Sequence, residues 1–195
     1  MPRVSKAEAE RNRAVIEQVS SRLFREQGFH GISVADLMGA AGLTHGGFYG
    51  HFESKDALAA IACTRAFEES EARWRKRVSD APDRATALSS LIDGYLSARN
   101  RNNAGAGCPV AALANDVARE SEDKPVRESF HDGLVNLLDI LVSVQPGDDA
   151  SADRKTALAQ MATLAGALML SRATQGTPLS NEILAAARTF LLQED

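Results

Sequence analysis

The sequence predicts an all-α chain of about nine helices, and three observations carry that expectation. Apolar residues recur at spacings of three and four along most of the chain. Ser/Thr/Asp residues stand ahead of these stripes where helices need N-caps, and Gly or Pro stands where helices end or begin. Runs of β-branched residues are scarce, while Ala, Leu, Glu and Arg are abundant. With 44% hydrophobic residues in 195, the chain has ample material for a core. Its pattern divides into a three-helix N-terminal unit, residues 1–53, and a larger helical unit, residues 54–195.

The first helix starts at a capping box, Ser5 with Glu8, carries the stripe Val15, Ile16, Val19 and Leu23, and stops at Gly28. A second box, Ser33 with Asp36, opens a short helix with Val34, Leu37, Met38 and Ala41, closed by Gly42. The stretch from Thr44 to Phe52 then reads as a third helix with Thr44 as N-cap and Leu43 as a hydrophobic staple on Phe48. Ser54 caps a long fourth helix to about Ser79, through Leu58, Ile61, Phe67, Trp74 and Val78. Further helices are expected near 83–101, 109–121, 125–144, 151–175 and 180–193. Pro109, Pro125 and Pro178 fall at or just before helix starts, where the missing N–H costs nothing. The stretches 102–107 and 145–149 are loops by composition.

The third segment breaks the propensity rules, because Gly46, Gly47 and Gly50 each cost roughly 0.5 to 1 kcal/mol against alanine in a helix interior. At about 100° per residue, Phe48 and Phe52 share one face and Gly46 and Gly50 the opposite one, flanked by Gly47 and Tyr49. A face without Cβ atoms lets backbone approach a surface closely, and nine residues at 1.5 Å span about 13 Å, close to the width of a DNA major groove. A glycine-rich loop over two buried phenylalanines is the competing reading. One long helix, one short helix, the turn Ala40-Ala41-Gly42-Leu43 and this segment make the layout of a helix-turn-helix. The net charge of −4 gives no support for nucleic acid, but residues 1–56 balance seven Lys/Arg against seven Asp/Glu, and residues 37–52 contain no acid.

Residues 5–56 resemble the DNA-binding domain of the TetR/AcrR transcriptional regulators. The resemblance rests on Leu23-Phe24-Arg25-Glu26-Gln27-Gly28-Phe29, Ser33-Val34-Ala35-Asp36-Leu37, Ala41-Gly42-Leu43-Thr44, Gly46, Phe48-Tyr49, His51-Phe52 and Ser54-Lys55-Asp56. It implies a homodimer that binds double-stranded operator DNA, usually represses transcription, and is released by a small-molecule effector. In that scheme the second unit is a ligand-binding and dimerisation domain, with the dimer formed through the last two helices. Carried over by position, Thr44, His45, Gly46 and Gly47 become the DNA-facing start of the recognition helix, and Ser33, Tyr49, His51 and Lys55 become phosphate contacts. Lys55 opens the fourth helix, beside N–H groups suited to a phosphate. The glycines leave few long side chains for base readout, so backbone fit carries more of the recognition.

The stretch Gly107-Cys108-Pro109-Val110-Ala111-Ala112-Leu113-Ala114 resembles one in a subset of the family thought to sense reactive electrophiles. Cys108 precedes Pro109 and so falls at a helix N-cap, where the dipole lowers a thiol pKa; this makes it a candidate sensor of an electrophile or oxidant, with a small cap residue as the plainer reading. Candidate pocket residues are Trp74, Tyr95, Cys108, Phe130, His131 and Met169, and core packing accounts for the apolar ones equally well. The small residues Ala162, Ala165, Gly166 and Ala167 allow close helix approach, either within a dimer bundle or in a monomer's core.

The sequence holds no HExxH, no ExxH carboxylate pair, no phosphate loop and no triad, so neither an enzyme nor a metal or cofactor site is expected. Two cysteines without CxxC spacing, no signal peptide and no run of 18 apolar residues point to a cytoplasmic chain with no membrane partner. The rival to a regulator is a helical adaptor that binds no DNA, which explains the later helices but not the glycine-faced segment.

Overall fold

A computed structural model describes residues 5–147 and 149–193. Among these residues there are nine α-helices, two short 3₁₀ helices and no strand. The α-helices are α1 (Lys6–Gln27), α2 (Val34–Ala40), α3 (Lys55–Asp80), α4 (Arg84–Tyr95), α5 (Ala98–Asn102), α6 (Pro109–Arg119), α7 (Pro125–Ser143), α8 (Ala150–Ala173) and α9 (Pro178–Leu192). The 3₁₀ helices are His45–Gly50, between α2 and α3, and Ala104–Ala106, between α5 and α6. Asp148, within the loop expected from composition, lies outside the described residues.

The caps read from sequence hold the N-terminal unit. Ser5 Oγ accepts from the Glu8 amide at 3.2 Å, and the Ser33–Asp36 box is reciprocal, with Asp36 N–H to Ser33 Oγ at 3.1 Å and Ser33 N–H to Asp36 Oδ2 at 3.2 Å. Gly42 turns the chain out of α2 at φ +71°, a conformation in which a Cβ is strained. Ser54 Oγ accepts from Ala57 N–H at 3.0 Å and starts α3, whose 26 residues extend about 39 Å. Helix α3 is the spine: its apolar face, from Leu58 through Cys63 and Phe67 to Trp74, packs on α1 at one end and along α7 over its length.

Two sequence expectations need correction. The helix expected over 83–101 is broken into α4 and α5, because Ser97 caps a new helix through the Asn100 amide at 3.2 Å while donating back to the Gly94 carbonyl at 2.9 Å. Arg172 of α8 holds the break from outside, donating to the carbonyls of Asn100 and Arg101 at 3.0 and 3.3 Å. The third segment is a 3₁₀ helix of six residues, not an α-helix of nine. Its bonds run from Gly47 N–H to the Thr44 carbonyl at 3.0 Å and from His51 N–H to the Phe48 carbonyl at 2.9 Å. Thr44 has extended backbone angles suited to an N-cap, but its side chain makes no capping bond. With three glycines in six residues, little side-chain packing favours the wider α-helical turn, and the tighter form is adopted.

Candidate DNA interface and adjoining cavity

The 3₁₀ helix is anchored by its aromatic face. Phe48 is fully buried and Phe52 nearly so, their rings 5.7 Å apart, beneath the fully buried Leu37 and Met38 of α2. Arg13 of α1 lies over the Phe52 ring at 4.6 Å and donates to the His51 carbonyl, tying the helix C-terminus to α1. Opposite this face, Gly46 and Gly50 are exposed, and a Cβ built on either would meet nothing within 4 Å. Tyr49 stands beside them 70% exposed, its ring edge-on to Phe48 at 5.2 Å, so its direction is set by packing while its hydroxyl end is free for a partner. At about 2 Å rise per residue the helix spans roughly 12 Å, which preserves the match to the major groove.

The other candidates divide by exposure. Ser33, Thr44 and His45 are exposed, the last two next to Gly46 in the chain. Gly47 is half-buried, facing Met38 Cε at 3.6 Å from its built Cβ, so it belongs to the flank packed on α2. His51 is half-buried with its carbonyl engaged by Arg13. Lys55 is half-buried and donates to the Ile32 carbonyl at 2.6 Å, so it braces the loop before α2 as well as opening α3.

A cavity of about 240 Å³ lies between α3, α4, α5 and the turn 103–108. Its floor is buried Ser70, Trp74, Tyr95 and Cys108, and its rim carries Arg73, Arg77 and Arg99. Three of the six expected pocket residues meet here: Trp74, Tyr95 and Cys108. The other three lie elsewhere: Phe130 stacks edge-on against Phe67 at 5.3 Å, exposed His131 contacts Asp132 at 3.0 Å, and half-buried Met169 is outside the lining. The arginines were not anticipated. Their signal was Ser70, Arg73, Trp74 and Arg77, a stripe at i, i+3, i+4 and i+7 that places polar and cationic groups on the face of the single tryptophan.

Cys108 occupies the N-cap of α6, as its place before Pro109 predicts, but its chemistry is the reverse of the dipole expectation. Burial pushes its thiol above the ordinary value, and nearby Tyr95, the first-turn amides and Arg172 draw it back only in part. A protonated, 4% exposed thiol is not an activated thiolate. Cys63, fully enclosed in α3, is pushed by burial to about 12. Both thiols therefore ionise first in the unfolded chain, so their contribution to stability is intact below pH 9 and lost as pH rises from about 9 to about 12 for Cys63. Urea melts across that window are expected to show falling midpoints, with a shallower fall for Cys63→Ala; equal slopes for the two proteins would refute this.

The turn 103–108 joins the cavity to the N-terminal unit. Asn103, Ala106 and Cys108 line the cavity, while Gly105 lies so close to α1 that a Cβ would come within 2.2 Å of Glu26 and 2.7 Å of Arg22. The Gly107 carbonyl accepts from Arg25 of α1 at 3.1 Å, and Arg25, nearly fully buried, pairs with Glu69 of α3 at 2.9 Å. Farther along, Asp116 of α6 accepts from Phe29 N–H at 2.9 Å, Glu120 meets His30 at 2.7 Å, and Lys124 pairs with Asp56.

Comparison with known proteins follows this layout. A family model described as bacterial regulatory proteins, tetR family, matches residues 17–61, from mid-α1 into α3. The HTH-type transcriptional regulator LmrA of Bacillus subtilis is 25% identical over 175 residues, covering 86% of this chain and 90% of its own. The HTH-type transcriptional regulator AcrR of Shigella flexneri is 41% identical over 58 residues, 30% of this chain and 27% of its own. A TetR transcriptional regulator from Chloroflexus aurantiacus superposes with a TM-score of 0.77 at 25% identity, covering 96% of this chain and 95% of that one.

Proposed function

Since the chain belongs to the TetR family of helix-turn-helix transcriptional regulators, we propose that it represses genes by binding operator DNA as a homodimer and is released when a small molecule occupies the cavity lined by Trp74 and Tyr95. The observation that carries the DNA reading is the exposed ridge of Gly46 and Gly50 with Tyr49 beside it, backed by buried Phe48 and Phe52. Backbone enters the groove along the glycines, Tyr49 reaches a phosphate, and Thr44, His45 and Ser33 border the contact. Lys55 and His51 act in this reading by bracing the recognition helix as much as by charge. Residues 1–53 form the DNA-binding unit and residues 54–195 the ligand-binding and dimerisation unit.

The experiment is binding of the purified protein to the promoter of its own gene, measured at two salt concentrations. Tyr49→Ala is expected to weaken binding about tenfold with an unchanged melting temperature, the loss of a hydrogen bond to a charged group being worth roughly 1.5 kcal/mol. Unchanged affinity would remove Tyr49 from the interface, and no binding at low salt would favour the adaptor instead.

The dimer reading rests on α8 and α9, which leave Leu158, Leu170, Leu179 and Phe190 between 47% and 72% exposed. A second copy covering this face pairs the two recognition helices for adjacent major grooves, about 34 Å apart. Sedimentation at micromolar concentration is expected to give a dimer, and Phe190→Asp a monomer; a monomeric wild type would overturn the assignment. For release, the turn 103–108 supports the route, because one side of it forms cavity wall and the other holds α1 through Gly105 and the Gly107 carbonyl. A ligand displacing this wall moves α1 and, through Arg13, the 3₁₀ helix.

A further inference from the structure

The cavity is cationic in a chain whose net charge is −4. No carboxylate lines it. Among the described residues Arg73, Arg77 and Arg99 form no ion pair: Arg73 donates to Ser70 Oγ at 2.8 Å, Arg77 to the Ser90 carbonyl at 3.1 Å, and Arg99 to nothing. Arg172, behind the wall, is likewise spent on backbone carbonyls. Glu69, whose charge is felt at Arg73, pairs with Arg25 at 2.9 Å and Arg65 at 3.7 Å. Three exposed guanidinium groups around one small space, with no carboxylate among its lining, make it a site suited to an anion.

The second observation is independent of the arginines. The Tyr95 hydroxyl is buried, with the residue 3% exposed, and it has no hydrogen-bond partner. The Cys108 thiol is its polar neighbour, and burial together with that thiol holds the Tyr95 hydroxyl well above its ordinary pKa. A buried hydroxyl without a partner costs about 1–3 kcal/mol, so phenylalanine would serve the apo core better. A donor left open at the floor of a cavity is suited to an acceptor on a ligand. The Tyr95 ring meets Trp74 edge-on at 6.0 Å, giving the same floor an aromatic wall. At about 240 Å³ the space falls below the roughly 300–1,000 Å³ of drug-sized sites, which limits the guest to about one ring.

We propose that the effector is a small organic anion, a carboxylate carried on a body of about one aromatic ring, bound with its charge between the arginine rim and the Tyr95 hydroxyl and its ring against Trp74. This rests on the reading above that the cavity is the effector site, and it assigns the chemical class that site accepts.

The test uses the intact protein and its single tryptophan, Trp74, as the reporter. Benzoate and phenylacetate are titrated against benzamide and benzylamine, which keep the ring but are neutral or cationic. At least one carboxylate is expected to give a saturable change in Trp74 emission with affinity at least tenfold above both controls. Tyr95→Phe is expected to melt no lower than wild type yet bind that carboxylate about tenfold more weakly, and Arg99→Gln to weaken it severalfold. The proposal is overturned if neither carboxylate gives a saturable change, if benzamide binds equally well, or if Tyr95→Phe binds unchanged. Promoter binding is measured separately. Carboxylate selectivity in a protein that does not bind its promoter supports the ligand class and counts only against the regulator reading.

Discussion

Gly50→Leu is expected to weaken binding to the protein's own promoter by about a hundredfold, near 2.8 kcal/mol, while leaving the fold intact. The two halves of this expectation rest on the same geometry. Gly50 has no positive φ and a built Cβ meets nothing within 4 Å, so the isolated protein accommodates leucine without strain. Leucine also favours helical backbone over glycine by roughly 0.5–1 kcal/mol, so thermal stability should hold or rise. On DNA the same open space becomes the contact surface, and a branched side chain holds the backbone away from it. Gly50→Ala should lie between, since a single methyl intrudes less. Gel-shift titrations of the three proteins, with melting curves, decide the matter; tight operator binding by the leucine variant would show that the glycine ridge faces solvent.

The largest loss of stability is expected from Gly133→Ala, at least about 2 kcal/mol, or roughly 4–8 °C in melting temperature. A Cβ at Gly133 of α7 would fall 2.1 Å from Phe67 Cγ, 2.4 Å from Cδ2 and 2.6 Å from Cβ of the same residue on α3. The ring cannot swing clear, because Phe67 is 3% exposed and held edge-on by Phe130 at 5.3 Å. The overlap includes the Phe67 Cβ itself, so relief requires α3 and α7, the most extensively packed helix pair, to separate. This outweighs the helix propensity gained with alanine, about 0.8–1 kcal/mol. Gly39→Ala supplies the contrast, since its Cβ meets nothing and the propensity gain should appear as a slight stabilisation. Equal melting temperatures for the two variants would contradict the packing account.

Most helix starts were legible because they depend on neighbours in sequence. Ser5, Ser33 and Ser54 each accept from an amide three residues on, and Pro109, Pro125 and Pro178 each occupy a first helical position. The separation of Phe48 and Phe52 from Gly46 and Gly50 was also legible, and it survives the change from α to 3₁₀ geometry because the aromatics have one core to enter. The break at Leu96–Ser97 was not, since its outer support comes from Arg172, more than seventy residues away. The raised pKa of the Cys108 thiol was not legible for the same reason, although its place as a cap residue was. Its position before Pro109 determines the cap and the dipole, but desolvation by packed neighbours opposes the dipole and exceeds it.

What the sequence determined by itself is therefore the local set: most helix starts with their serine caps, the turn at Gly42, and the separation of buried Phe48 and Phe52 from the exposed Gly46 and Gly50. What only tertiary structure decided is whatever depends on groups distant along the chain. That set includes the gathering of Arg73, Arg77 and Arg99 over Tyr95 and Trp74, the close approach of Gly133 to Phe67, and the hold of the 103–108 turn on α1. The physical reason is range. Capping and periodicity act within a few residues, whereas burial, charge convergence and steric contact exist only once the helices have packed.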